Sequence, residues 1–262
     1  MPSNRSALGF RELGLPVLSI VLAILIWQFI ADFVIQNTFI LPSFYATISA
    51  LHQIGGIILI DVSISLLHFV IGLALGIVVG IPVGSAMGWF KSVDRALDPI
   101  VEIIRPIPPI AWIPFAIIWF HLTHYAAGFV VFIGAFFPIL INTYSGFKGV
   151  SVKLTEAAKV LGCTRSRDLM KSVAFPSAMP SMATGIRVGM GVGWMSVVAA
   201  EMFGVSKAGL GYRLFQEFYQ FHQMDRLLLY MLVIGLIALT LDRLFRYFVE
   251  GKLLMWRVGL VK

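Results

Sequence analysis

Apolar residues run through this chain in long stretches, and the polar islands between them are short. Stretches free of Asp, Glu, Lys and Arg cover Leu13 to Ala31, Val62 to Phe90, Pro106 to Phe147 and Leu227 to Leu241, while Ser172 to Ala200 carries Arg187 alone. About 20 apolar residues in a helix cross the hydrocarbon of a bilayer. Pro106 to Phe147 is too long for one crossing and breaks most simply at His121-Leu122-Thr123-His124-Tyr125, whereas Leu227 to Leu241 is short and extends into Phe245-Tyr247-Phe248. The pattern predicts an all-α integral membrane protein with six transmembrane helices near 13–33, 62–89, 99–120, 126–147, 179–203 and 226–248. No repeat or linker interrupts it, so a single domain over 1–262 is expected. Between the first two spans, Ile40-Leu41-Pro42-Ser43 opens an interfacial helix that Ser43 caps, with Ile48, Leu51 and Ile54 along it.

Composition reinforces the membrane reading: hydrophobic residues are 59% of 262 and charged residues 13%, about half the share of a soluble domain. The net charge of +7 is distributed as the positive-inside rule requires. With the N-terminus inside, the inner segments hold Arg5, Arg11, Lys91, Arg95, Lys148, Lys153, Lys159, Arg165, Arg167, Lys171, Arg243, Arg246, Lys252, Arg257 and Lys262. The outer segments hold only Lys207, Arg213 and Arg226. Both termini are then cytoplasmic, and charge scattered over four inner segments argues against nucleic acid as a partner. The single Cys163 falls in an inner loop and makes no internal disulfide. The first apolar stretch exceeds the apolar core of a signal peptide and lacks a cleavage-site pattern, so it reads as an uncleaved span.

Within a membrane, helices associate through close backbone approach at small residues. Span two carries Gly72, Gly76, Gly80, Gly84 and Gly88, and span five carries Gly185, Gly189 and Gly193. These are expected to be helix-packing positions. The four-residue step turns the first row by about 40° each time, so that it can serve different neighbours along its length. Pro82, Pro106, Pro108, Pro109 and Pro114 remove backbone donors and bend their helices. Two ionisable residues lie in span five, Arg187 and Glu201, about 21 Å apart along a helix and unable to pair with each other. Arg187 either forms part of an inner polar surface or pairs with Glu102 or Asp98. Glu201 is either a gate or an interfacial group. Together with Trp194 they are the candidates for a translocation path or gate.

The island at 148–178 has its own pattern. Leu154, Ala157, Ala158 and Leu161 fall at i, i+3, i+4 and i+7, a one-sided apolar stripe beside Lys153, Glu156 and Lys159. Thr155 or Ser151 can cap its start and Gly162 stops it. Ser166 and Asp168 begin a second short helix that Pro176 ends. A small stripe of this kind fits a groove on a partner protein, and a helix lying on anionic lipid is the alternative that spacing leaves open.

The segment Glu156-Ala157-Ala158 with Gly162 and Pro176 resembles the E-A-A-x-x-x-G loop of binding-protein-dependent ABC importer permeases, except that Pro176 follows the glycine by fourteen residues where the family pattern has thirteen. Leu41-Pro42-Ser43, Arg105-Pro106 through Pro114, Phe137-Pro138 with Asn142-Thr143, Gly185-Ile186-Arg187, Ala200-Glu201 and Gly209-Leu210-Gly211-Tyr212 continue the likeness in order, and together they resemble the nitrate/sulfonate/taurine branch. The resemblance implies a type I importer permease fold and two permease copies, expected to be a homodimer. It further implies two ATP-binding subunits and an extracytoplasmic solute-binding protein, in a prokaryotic plasma membrane. It implies that Glu156, Ala157, Ala158, Leu161, Gly162 and Pro176 couple to the ATPase. ATP and Mg would belong to that partner, because this chain has no G-x-x-x-x-G-K-[ST] loop of its own. His52, His68, His121, His124 and His222 lack ligand companions by spacing, so no metal, cofactor or catalytic residue is expected. An ion-coupled secondary transporter remains the alternative, though neither repeat symmetry nor midplane charges favour it.

Overall fold

The computed structural model describes residues 5–253. Arg257 and Lys262, counted above as inner charges, lie outside them. The described residues are helical with no strand: α1 Arg5–Phe29, α2 Phe44–Ser49, α3 Leu51–Trp89, α4 Lys91–Ile104, α5 Ile113–Phe120, α6 His124–Lys148, α7 Val152–Val160, α8 Ser166–Leu169, α9 Phe175–Met202, α10 Leu210–Tyr212 and α11 Met224–Phe245. Five stretches are long and apolar enough to cross a membrane, namely Gly14–Ile35, Leu51–Trp89, His124–Lys148, Ser166–Met202 and Met224–Val249. A bent pair, Lys91–Ile104 with Pro109–Phe120, makes a sixth if it is one span.

Three boundaries differ from the sequence expectation. The helix expected over 99–120 starts at Lys91 and turns by 90° after Ile104, because Pro106, Pro108 and Pro109 withdraw N–H donors in close succession and hold Pro108 extended. The helix expected from 62 starts at Leu51, separated from the Ser43-capped α2 only by Ala50. Asp61, which had marked the edge of the apolar run, is buried against Arg213 and interrupts nothing. At 39 residues, α3 is about 58 Å long, well beyond one hydrocarbon thickness. The third difference is at Pro176, which lies inside the continuous helical stretch Ser166–Met202.

The chain divides into two compact units. One combines the chain up to Leu59 with Leu214–Val233, and the other combines Ile60–Arg213 with the chain from Ile234 on. In the first, Ser43 Oγ accepts the Ala46 N–H to start α2, and the Trp27 indole donates to the Pro42 carbonyl. In the second, α6 is the central helix, with Val130, Val131, Ala135, Ile139 and Leu140 essentially inaccessible.

Glycine rows bring two helices onto α6. A methyl group placed at Gly72, Gly76, Gly80, Gly84 or Gly88 would meet, in turn, Val131, Ala135, Ile139, Leu140 and Phe147, all at 2.4–3.1 Å. The row of span two therefore meets one neighbour rather than several. A four-residue row is a ridge inclined to its own helix axis, and a partner that crosses along the ridge stays with it. Along the same stretch of α6, Gly185 and Gly189 of α9 approach the backbone at Pro138 and Ala135 to 3.1 and 2.9 Å by the same measure, and Gly193 faces Val131.

Candidate functional site

The functional residues divide between the two ends of α9. At the N-terminal end, the loop end, α7 closes with Gly162 at φ +92°, a left-handed turn that favours glycine. Cys163 N–H donates to the Ala158 carbonyl and Gly162 N–H to the Lys159 carbonyl, the paired bonds of a Schellman stop. Thr155 and Ala158 are the half-buried side of α7, while Leu154 is 52%, Val160 88% and Leu161 87% exposed. Most of the expected stripe therefore points away from the rest of its own chain.

Pro176 does not end a second short helix. From Ser166 to Met202 the chain is continuously helical, through a π turn at Met170–Ala174. Phe175 donates five residues back to the Met170 carbonyl, so the ladder shifts just before the residue that has no N–H to offer. A π turn holds one residue more than an α turn. It thus absorbs the one-residue excess between Gly162 and Pro176 without disturbing the helix on either side. The join is anchored by Phe147, Ala174, Ala178 and Met182, which pack together, and by the Trp89 indole, which donates to Ser166 Oγ at 2.9 Å.

The far end of α9 is polar and closed. Glu201 is fully buried, as are Ser65 and His68 of α3. Its carboxylate accepts from Ser65 Oγ at 2.9 Å, from His68 Nδ1 at 2.8 Å and from the Gly211 N–H at 2.9 Å. Ser65 Oγ in turn accepts the Leu210 N–H at 2.9 Å. His68 Nε2 lies 2.8 Å from His124 Nδ1, and His124 is exposed. Close by, Arg213 pairs with buried Asp61 at 2.5 Å.

The Gly209-Leu210-Gly211 turn has no room for side chains. A Cβ at Gly209, which sits at φ +125°, would lie 2.5 Å from Glu201 Cδ, and one at Gly211 would lie 2.3 Å from the Val198 carbonyl oxygen. His68 and His124 are joined to each other and to Glu201 by hydrogen bonds, a pairing that spacing did not reveal. Both ring nitrogens of His68 are used in hydrogen bonds, and among the described residues no group of three His, Cys, Asp or Glu is arranged for a metal ion. Asp61, Ser65 and His68 stand at i, i+4 and i+7, one face of α3, and that periodicity inside an apolar run was the signal that could have found them.

Midway along α9, Arg187 pairs with neither Glu102 nor Asp98. It donates from Nε to Asp242 Oδ1 at 2.7 Å and from Nη2 to Oδ2 at 3.3 Å, and Arg246 shares the same carboxylate at 3.1 Å. Asp242 follows directly after the charge-free run of the last span, at the depth of Arg187, which places it nearer than either acid of α4. Trp194 is buried, with its indole N–H donating to the Ile234 carbonyl and its ring edge-on to Phe69 at 5.6 Å. It holds α9 to α11 from inside the unit. The accessible face of α9 is instead Thr184, Val188, Gly191 and Met195.

Known proteins are similar to this sequence along most of the chain. Residues 72–252 match the family model described as the binding-protein-dependent transport system inner membrane component. A putative ABC transporter permease protein of Methanocaldococcus jannaschii is 46% identical over 94% of this chain and 93% of its own. A putative aliphatic sulfonates transport permease protein of Bacillus subtilis is 30% identical over 97% and 90%, and a nitrate import permease protein of Synechococcus elongatus 30% over 71% and 66%. With its multiple apolar helices and its Glu156–Gly162 loop, the chain belongs to the ABC importer permease family, in the nitrate/sulfonate/taurine branch.

Proposed function

We propose that this chain is the membrane half of an ATP-driven importer for a small anion or organic solute of the nitrate, sulfonate or taurine class. It works as one of two identical permease copies, above two ATP-binding subunits that hold ATP and Mg. A solute-binding protein brings cargo to the outer side. On this reading the membrane is a prokaryotic plasma membrane, and both termini and the 148–178 loop are cytoplasmic. The cargo class is supported by the names of the sulfonate and nitrate relatives.

The observation that carries the proposal is the exposed apolar stripe of α7, held at a fixed Schellman stop and joined through the π turn to a helix that runs unbroken to Met202. Leu154, Val160 and Leu161 leave apolar area uncovered on an otherwise charged loop, which is the surface a protein groove covers. Closure of two ATPases beneath two copies would then move each α7, and with it the continuous helix Ser166–Met202 of 37 residues, as a lever about 55 Å long at 1.5 Å per residue. A groove of about 290 Å³ beside the accessible face of α9, lined by Arg105, Pro109, Phe137, Asn142 and Val188, is where a path between two copies would open.

Co-purification from native membranes tests the reading. The wild-type chain should bring down an ATPase with a phosphate-binding loop, and Glu156→Arg and Ala157→Asp should each release it while the permease still inserts. Undiminished ATPase binding and ATP-dependent uptake in both variants would remove α7 from the coupling step.

A further inference from the structure

We propose that His68 is a positioning residue of the import cycle: it holds Glu201, and through Glu201 the Gly209–Gly211 turn, in the shape with which the far end of the permease receives its loaded binding protein. The proposal rests on the importer reading above for the identity of that partner, while the clamp itself rests on geometry.

A carboxylate fully buried at the end of a membrane helix is costly unless each of its lone-pair directions is met. Glu201 draws its donors from three places: Ser65 and His68 on α3, and the backbone of Gly211 beyond α9. Ser65 has a single hydroxyl proton, and that proton goes to the carboxylate. Its lone pair is therefore free to take the Leu210 N–H, as the 2.9 Å contact shows. Two consecutive backbone amides, Leu210 and Gly211, are thus fastened to groups that His68 keeps in place. Among the described residues no other side chain supplies Glu201 with a ring nitrogen, and the glycines leave no slack, since Gly209 already runs against the carboxylate itself.

His68 is suited to this by its two nitrogens. To donate to Glu201 from Nδ1 as a neutral ring, it must accept at Nε2, so the proton in the His68–His124 contact comes from His124 Nδ1. Glu201, which can only accept, therefore sets the tautomer of His68, and His124 holds the plane of its ring from the other side. The outer member of the pair opens on a hollow of about 490 Å³, rimmed by His124, Ser206 and Lys207. Ser206 and Lys207 lie on the same short connection that the clamp fastens three residues later. The turn held from below by Glu201 is thus the one that shapes the surface around the hollow, the surface a docking protein meets.

The two amide replacements separate the two nitrogens. His68→Asn places an amide donor near the position of Nδ1, keeps the bond to Glu201 and drops His124. His68→Gln places its amide near Nε2, keeps His124 and drops Glu201. In the reconstituted complex of permease, ATPase and binding protein, the KM of ATPase stimulation by loaded binding protein should rise roughly tenfold in His68→Gln, the size of one lost hydrogen bond to a buried charge. The maximal stimulated rate should stay within about twofold, and His68→Asn should stay within about threefold of wild type in both. A partner-independent readout accompanies this. A thiol placed by Lys207→Cys in a Cys163→Ser background should be labelled faster in His68→Gln than in His68→Asn.

Equal behaviour of the two amide variants, whether both normal or both impaired, overturns the assignment, because bulk and stability alone do not distinguish the nitrogens. A change in maximal rate at constant KM overturns it as well. If His68→Gln fails to assemble, Glu201→Gln takes its place with the same expected rise in KM, and a normal KM there counts against the clamp. Failure of the importer reading shows separately, as a wild-type permease that brings down no ATPase while the labelling contrast persists.

Discussion

The two ends of α9 are built on opposite rules. At the loop end the backbone is satisfied by its own Schellman stop, and the surface left over is apolar and bare, with Leu161 87% exposed. At the far end a full carboxylate is buried, and every group around it is consumed in holding it. Bare apolar area gains when something covers it, so the loop end is incomplete by itself. A buried hydrogen-bonded charge gains nothing from a newcomer and loses heavily when one donor goes, so the far end is finished and rigid. A lever needs both: one end that takes hold of a moving partner, and another that carries a defined shape along with it.

Glycine substitution sharpens that contrast most. Gly211→Ala would drive a methyl to 2.3 Å from the Val198 carbonyl, a helix backbone atom with no rotamer to yield. It should cost about 3 kcal/mol, the upper range for overpacking, seen as lost thermal stability of the purified permease. Gly191→Ala, on the accessible face of the same helix, meets nothing within 4 Å. It should be neutral or stabilising by about 0.5 kcal/mol through helix propensity. Equal losses at the two positions would mean that the clamp is no tighter than the accessible face of α9.

The middle of the lever gives a second, smaller test. Arg187 and Asp242 hold α9 to α11 by a two-pronged contact that leaves both about a third exposed. If the pair is a brace, Arg187→Met and Asp242→Leu should each lower uptake by roughly tenfold, and the double variant should recover to about half of wild type, because a charge stranded in a span is removed along with its cause. Losses that simply multiply would assign Arg187 a direct part in moving cargo instead.

Much of this was legible in residue order. Long apolar runs place the spans, and the Ala157-Ala158 stripe with Gly162 marks the loop, because both are local patterns read within a few turns. The break after Ile104 was partly visible in its prolines, although their combined bend was not. What escaped was the pairing of distant residues. Asp61, Ser65 and His68 look like impurities in an apolar helix until Glu201 and the 209–211 turn are brought to them, 136 residues away in the case of Ser65. Asp242 was likewise hidden, although at 55 residues it is nearer to Arg187 in the chain than Glu102 or Asp98, because residue order does not say which helices pack side by side. Pro176 misled for a related reason: proline forbids one hydrogen bond, but whether the helix ends or widens into a π turn depends on the packing of Phe147, Ala174 and Ala178 around it.

The smallest expected effect bears most directly on how the loop end works. Gly162 has nothing within 4 Å of where a Cβ would lie, so Gly162→Ala brings no clash and acts only through its φ of +92°. A left-handed alanine costs about 1 kcal/mol. In a finished region that strain would be resisted by side-chain contacts, and here only the two Schellman bonds to Ala158 and Lys159 oppose it. The last turn of α7 should therefore loosen while Leu169 and the π turn stay in place, with faster amide exchange at Gly162 and Cys163 than in wild type and no change near Ala174. ATPase affinity should fall by roughly fivefold, because Leu161 is positioned by that turn. If exchange instead rises through α8 and the π turn, then the stop at Gly162 is a structural member of α9 itself, and the division of the helix into an adaptable end and a rigid end fails.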